Sequence, residues 1–397
     1  MKTGIAVTFW DWTSFYGTWG EPGVYKVIDL LHSAGVHRIY WRMRQSQCLY
    51  ASKIDLPGMH FEDDNTIAKT AAWGLPHHSW QWINEVVDFS KFDPVPVAIE
   101  RCRTLGIEIY AWLENVEAHG WGWESGFSKA HPELLMKTKA GYRVERLCWA
   151  YPEVIDFKLS LIEEISSYGF DGIAHDLFKG GCNKYATIDR FGVFQGMYDR
   201  PVTRAFKAQT GRDPFEIPND DVEWLQFRAD YVTAYLRKVR ALMQSLSPAI
   251  DFEIFLSLPG MHVWSTHDGE RAATTEDIMK GAAKHTDIPD AFSGNIEDQH
   301  VWIEEDLADS FSPAFHFHSL ESTSVLSRKA KAIARKLQNG HSLGGYFQVR
   351  GRDLQNLAWA YEIAEMAGMD HIVLFESNGF EIPGRFRALK ELCKRHT

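Results

Sequence analysis

At 397 residues and 45% apolar side chains, the chain is long enough for a sizeable core and too apolar to be disordered. Its net charge of −11 argues against a nucleic-acid partner, because phosphate binding needs a basic surface. No apolar run approaches the roughly 18 residues of a membrane span. The five cysteines show neither an even-numbered disulfide framework nor the C-x-x-C spacing of a zinc site.

In chain order, strand and helix patterns alternate from end to end. The N-terminus, Met1-Lys2-Thr3-Gly4-Ile5, runs into a strand without signal-peptide architecture, so a soluble, cytoplasmic protein with reduced thiols is expected. Residues 4–10 read as strand one and 24–33 as its helix, stopped by Gly35. Residues 38–44 read as strand two. A long polar, tryptophan-rich loop follows, then a helix over 95–105 and strand three over 108–113. Pro152 suits the first turn of an amphipathic helix carrying Val154, Phe157, Leu161, Ile162 and Ile165. Gly169 stops it, and 170–174 form strand four, with Asp176 at its carboxyl end. Beyond an insertion come a helix over 224–246, strand five over 252–258 and a fifth helix over 301–308. Strand six (314–318), a helix (325–337), strand seven (345–349), a helix (354–367), strand eight (372–375) and a helix over 386–394 complete the series.

Eight strands, each followed by a helix, match a (β/α)8 TIM barrel in the α/β class. A doubly wound open sheet is the alternative, weakened as a dinucleotide-binding version by the lack of G-x-G-x-x-G after strand one. No linker-like break divides the chain, so one domain over 1–397 is expected. Its insertions, around 45–90, 115–150, 179–222 and 260–312, fall on the side where barrels build their sites.

Strand alternation sorts the faces. Ile39, Trp41 and Met43 belong outside, leaving Tyr40, Arg42 and Arg44 to point in. Tyr110, Trp112 and Glu114 point in from strand three, and Tyr346, Gln348 and Arg350 from strand seven. Gly172, Ala174 and Asp176 share the inner face of strand four, the small residues leaving room for Tyr110. Polar residues converging from several strand ends are the usual sign of an active site. Equally, Arg42 or Arg44 paired with Glu114 or Asp176 would be a structural ion pair. Of 15 tryptophans, Trp10, Trp12, Trp19, Trp112, Trp121, Trp123 and Trp149 lie in or beside strand ends. There they serve either as sugar-stacking faces or as large core residues.

Several stretches resemble the glycosyl-hydrolase-like family 10 proteins. Arg38-Ile39-Tyr40-Trp41-Arg42 with Tyr50-Ala51-Ser52 is similar to the family's second strand and the tyrosine–x–serine that follows it. The run from Ala98 to Trp112 is similar to its third-strand entry. His131-Pro132-Glu133 and Tyr151-Pro152-Glu153 match its proline–glutamate helix starts. Phe170-Asp171-Gly172-Ile173 through Asp176 matches its aspartate–glycine–isoleucine strand. Thr210-Gly211-Arg212-Asp213-Pro214 and the run from Trp224 to Arg228 resemble its later insertion and helix. The resemblance covers about residues 4–260 and implies a barrel glycosidase, with carry-over limited to Asp171 and Asp176. The chain departs from the pattern in His175-Asp176-Leu177, where the family often has consecutive acids. It also lacks a carboxylate in Ser257-Leu258-Pro259 after strand five.

The expected chemistry is hydrolysis of an O-glycosidic bond in an oligo- or polysaccharide by two carboxyl groups. Asp176 is the first, as nucleophile or acid, with Glu321, Glu376 and Glu114 as candidate partners in that order. Asp171, at the strand start, is read as structural. His175 faces away from the barrel axis, where it would hydrogen-bond in the strand–helix layer. The expected substrate-binding set is Trp10, Arg42, Arg44, Trp112, Glu114, Trp121, Gln348 and Arg350. Its arginines point to an acidic glycan, since guanidinium binds planar anions in bidentate fashion. No cofactor or metal is called for, and nothing in the sequence speaks to oligomeric state. A metal-dependent hydrolase using His316, His318, His175 and Asp176 is one alternative. A non-catalytic carbohydrate-binding barrel is another.

Overall fold

A computed structural model describes residues 1–13, 18–58, 85–115, 117, 124–177, 194–258, 292–293, 296–316, 322–337, 340–349, 354–375, 377, 379–380 and 382–396. Among them, eight parallel strands close into a barrel. These are β1 (Lys2–Val7), β2 (Arg38–Gln45), β3 (Glu108–Glu114), β4 (Gly172–Asp176), β5 (Asp251–Ser257), β6 (Ser310–His316), β7 (Tyr346–Gln348) and β8 (His371–Phe375). Each pairs with the next, and β1 pairs with both β2 and β8, which shuts the ring. The helices that follow are α1 (Glu21–Ala34), α2 (Pro94–Leu105), α3 (Pro152–Ser166), α4 (Val222–Ser245), α5 (Gln299–Glu304), α6 (Thr323–Ala334), α7 (Leu354–Ala367) and α8 (Pro383–His396).

Local chemistry sets these elements. Asp93 caps α2 by accepting from the Val95 N–H at 3.0 Å, and Pro94 opens its first turn. Asp221 caps α4 through the Trp224 N–H at 3.1 Å. Along each strand, alternate residues pack under the helices: Ile39, Trp41 and Met43 in β2, Ile109, Ala111 and Leu113 in β3, and Ile254 and Leu256 in β5. The other set fills the barrel, with Ala6, Tyr40, Tyr110, Trp112, Ala174, Phe255, Ala314, Tyr346, Val373 and Phe375 in one apolar cluster. Small and large residues alternate around it. A Cβ on Gly172 would lie 2.5 Å from the Tyr110 ring, and one on Gly4 would lie 2.6 Å from the Tyr40 ring. The room expected for Tyr110 is therefore present.

Beneath this cluster, fully buried Glu253 accepts from Tyr40 Oη (2.8 Å) and from Ser312 Oγ, and pairs with His371 Nε2 at 2.8 Å. Arg38 approaches it within 3.7 Å and lies 3.9 Å from the Tyr110 ring centroid. Burial works against the charge on Glu253, but His371, Arg38 and Ser312 outweigh it and hold its pKa below the ordinary value.

Several boundaries differ from the sequence reading. β1 ends at Val7, and Phe9–Trp12 forms a helical turn, because Thr8 and Asp11 close a capping box at the strand tip. α5 spans Gln299–Glu304 rather than 301–308, since Asp298 caps it and the chain turns at Asp306 with φ +56°. β6 starts at Ser310 and runs through Pro313, a residue that reads as a strand breaker in sequence. The register of β2 against β3 shifts between Arg42 and Arg44, so Arg42 faces Trp112 and Arg44 faces Leu113. One extra residue there reverses the side on which Arg44 emerges. No helix among the described residues is long and apolar enough to cross a membrane. Cys48, Cys102, Cys148 and Cys393 are buried free thiols, and Cys182 lies outside the described residues.

Candidate active site

Asp176 ends β4 at the carboxyl mouth of the barrel, on the inner face with Ala174, and is fully buried. Its Oδ2 accepts from the indole Nε1–H of Trp112 at 3.1 Å. Glu114 stands in register beside it on β3. Arg42 forms a buried ion pair with Glu114, and its guanidinium lies 4.8 Å from the Trp112 ring centroid. Of the arginine–carboxylate pairs that the sequence left open at this mouth, the one between Arg42 and Glu114 is made. Trp112 is fully enclosed, and its indole N–H holds the carboxylate in place. Gln348 ends β7 in register with Phe375 and is buried near the same mouth.

Arg44 does not join this group. It emerges among β2, α3 and the segment at Glu117, giving Glu117 two hydrogen bonds (3.0 and 2.6 Å) and Asp55 one at 3.0 Å. Lys158 of α3 completes the cluster through Glu117. Burial alone would raise the Glu117 pKa, but Arg44 and Lys158 outweigh it and hold it at about 2. The bulge at Arg42 to Arg44 is the cause, and it turns Arg44 out of the inner-face group in which strand alternation had placed it.

The tryptophan expectations divide. Trp10 lies in the turn after β1, buried and edge-on to Phe9 with ring centroids 5.2 Å apart. Trp12 stacks between Trp19 (5.4 Å) and Trp41 (5.9 Å) in the strand–helix layer. Trp149 stacks on Tyr235 at 4.4 Å. These side chains are core. His175 is in the same layer, hydrogen-bonded through Nε2 to Tyr235 Oη at 2.8 Å, and burial lowers its pKa to about 3. Asp171 accepts from the Ile109 N–H at 2.7 Å below the barrel mouth, a structural contact as expected. Glu321, Glu376, Trp121, Trp123, Arg350 and His318, with the side chain of His316, lie outside the described residues. Among the described residues, no group of three His, Cys, Asp or Glu side chains could hold a metal ion.

Two mouth residues escape the sequence reading. Arg146 lies in a hairpin formed by Leu135–Lys137 and Arg143–Leu147, within the insertion after β3. It is buried. Burial lowers its pKa to about 10, against the opposing pull of the Glu297 and Asp176 charges. Glu297 belongs to a short strand just before α5 and accepts from Ser257 N–H at 2.7 Å and Ser257 Oγ–H at 3.1 Å. The Gln299 side chain donates to the Ser257 carbonyl at 2.6 Å, fixing the same strand tip. Arg146 leaves one trace in sequence, since it shares a strand face with buried Val144. Glu297 leaves none, because no periodicity ties its segment to β5.

A model of the family described as Glycosyl hydrolase-like 10 matches residues 78–341. No curated protein matches the sequence. Among solved structures, the catalytic domain of β-amylase from Paenibacillus polymyxa superimposes with a TM-score of 0.57 at 11% identity, covering 100% of this chain and 98% of that one. The glycoside hydrolase domain of PgaB (BpsB) from Bordetella bronchiseptica gives 0.57 at 12% identity, with 99% of each chain covered. β-Galactosidase from Marinomonas ef1 gives 0.57 at 11% identity over 100% of this chain and 59% of its own. At such identities the likeness shows the barrel fold and nothing finer.

Proposed function

The chain belongs to the Glycosyl hydrolase-like 10 family, and from that premise we propose that it hydrolyses an O-glycosidic bond of an oligo- or polysaccharide at the carboxyl mouth of its barrel. The observation that carries this reading is Asp176, a fully buried carboxylate at the end of β4, held by the Trp112 indole. Barrel enzymes place their chemistry at that position. A carboxyl group there acts as acid toward the leaving oxygen or as nucleophile toward the anomeric carbon. Arg42, Glu114 and Gln348 line the same inner face and are the proposed sugar-binding groups, with the Arg42–Glu114 pair offering both donors and acceptors to hydroxyls.

Asp176→Asn tests the reading, since the amide keeps an acceptor for the indole N–H while losing the acid and the nucleophile. Turnover of any glycan found by screening should fall by roughly 10²–10⁴-fold, with unfolding and glycan binding nearly unchanged. Full activity in that variant would remove Asp176 from the mechanism. Glycan binding by wild-type protein with no turnover across a broad panel would instead favour a non-catalytic sugar-binding barrel.

A further inference from the structure

We propose that Glu297 is the second catalytic carboxylate, working opposite Asp176 as the ionised partner; this rests on the glycosidase reading above. Phe255 of β5 is the register partner of Asp176, and Ser257 is the next residue of β5 on the inner face. With about 4.8 Å between strands and about 3.3 Å of rise per residue, the Ser257 and Asp176 Cα atoms are roughly 8 Å apart. Glu297 is clamped to Ser257 through both carboxylate oxygens, one taking the backbone N–H and the other the hydroxyl. The strand that ends without an acid of its own therefore carries one, delivered from 40 residues downstream.

That geometry sets the two acids on a scale that accommodates the carboxyl separations of about 5–9.5 Å used in glycoside hydrolysis. The charges of both act on Arg146, a buried guanidinium of the hairpin. A single cation feeling both is consistent with their facing one space. Glu114 is the less suitable partner, because its charge is already matched by Arg42 in a buried pair. With donors from Ser257 on both of its oxygens, Glu297 takes the role of the acceptor carboxylate, and Asp176 is assigned the proton-donor role. In the reaction, the Asp176 proton passes to the glycosidic oxygen, which leaves with the electron pair of the C–O bond. The anomeric carbon gains a bond from a Glu297 oxygen, or from a water oxygen whose proton Glu297 accepts. Water supplies the new hydroxyl in either case.

The test uses 2,4-dinitrophenyl α- and β-glycosides of mono- and disaccharides, whose leaving group departs without a proton. Glu297→Gln should lower kcat/KM on the substrate that wild type cleaves by at least about 10³-fold, whereas Asp176→Asn should retain most of kcat/KM on that activated substrate. Sodium azide should restore turnover to Glu297→Ala and give a glycosyl azide, a rescue that a merely structural glutamate would not show even if the variant were less stable. Glu297→Gln within about 10-fold of wild type, or Glu297→Ala without azide rescue, overturns the assignment. If Glu114→Gln alone is inactive and rescued, Glu114 takes the role. The two readings separate on Asp176→Asn acting on an unactivated glycan: its inactivity beside an active Glu297→Gln leaves the glycosidase reading standing and removes only Glu297. A wild-type protein that cleaves nothing in the panel overturns both.

Discussion

His175 shows what burial does to a titratable side chain in this barrel. Its imidazole is enclosed in the strand–helix layer against Tyr235, and burial lowers its pKa from about 6.5 to about 3, with Lys158 contributing in the same direction. Below pH ~6.5 the unfolded chain takes up a proton on this side chain that the folded chain declines, so stability falls as pH falls through that window. At pH 4.5 the two-unit interval corresponds to ~2.7 kcal/mol, a sizeable part of the ~5–15 kcal/mol that holds a typical domain folded. Urea unfolding followed by tryptophan fluorescence at pH 7.5 and 4.5 reads the loss. His175→Gln keeps a hydrogen-bonding group near Tyr235 and has nothing to protonate. It should start slightly less stable at pH 7.5 and lose ~2–3 kcal/mol less than wild type on acidification. Equal losses in the two proteins would refute the argument and place the acid sensitivity elsewhere.

Other perturbations test the packing and the charge clusters. Gly172→Ala drives a methyl into the buried Tyr110 ring and should cost ~1–3 kcal/mol in urea denaturation, since neither strand can move aside. Arg44→Met leaves Glu117 and Asp55 buried without their arginine, and should cost ~3–5 kcal/mol while leaving KM of the folded protein unchanged. A raised KM at intact stability would restore Arg44 to the substrate pocket. Tyr40→Phe removes a donor to Glu253 and should lower stability by ~1–3 kcal/mol, again read from the urea midpoint.

The local pattern of the chain was enough to specify eight strand–helix repeats, while the β1–β2 pairing that closes them into a barrel belongs to the tertiary structure. Period-two alternation in β2, β3 and β5 and helical periodicity between strands are short-range properties, legible without knowing what packs on what. The same alternation put Asp176 on the inner face and predicted that Gly172 yields space to Tyr110, because both facts follow from which way successive side chains point. It failed at Arg44, where one bulged residue reversed the alternation; no composition signal marks a bulge whose cause is the neighbouring strand. It also left Trp112 open between a stacking face and a core residue, and its indole N–H is bonded to Asp176. The tertiary structure alone decided what joins Asp176 at the mouth from outside the strands. Arg146 arrives on a hairpin and Glu297 on a segment 40 residues beyond the strand tip it occupies. Each is placed by long-range hydrogen bonding and charge, quantities that depend on distance in space and leave no periodic trace along the chain.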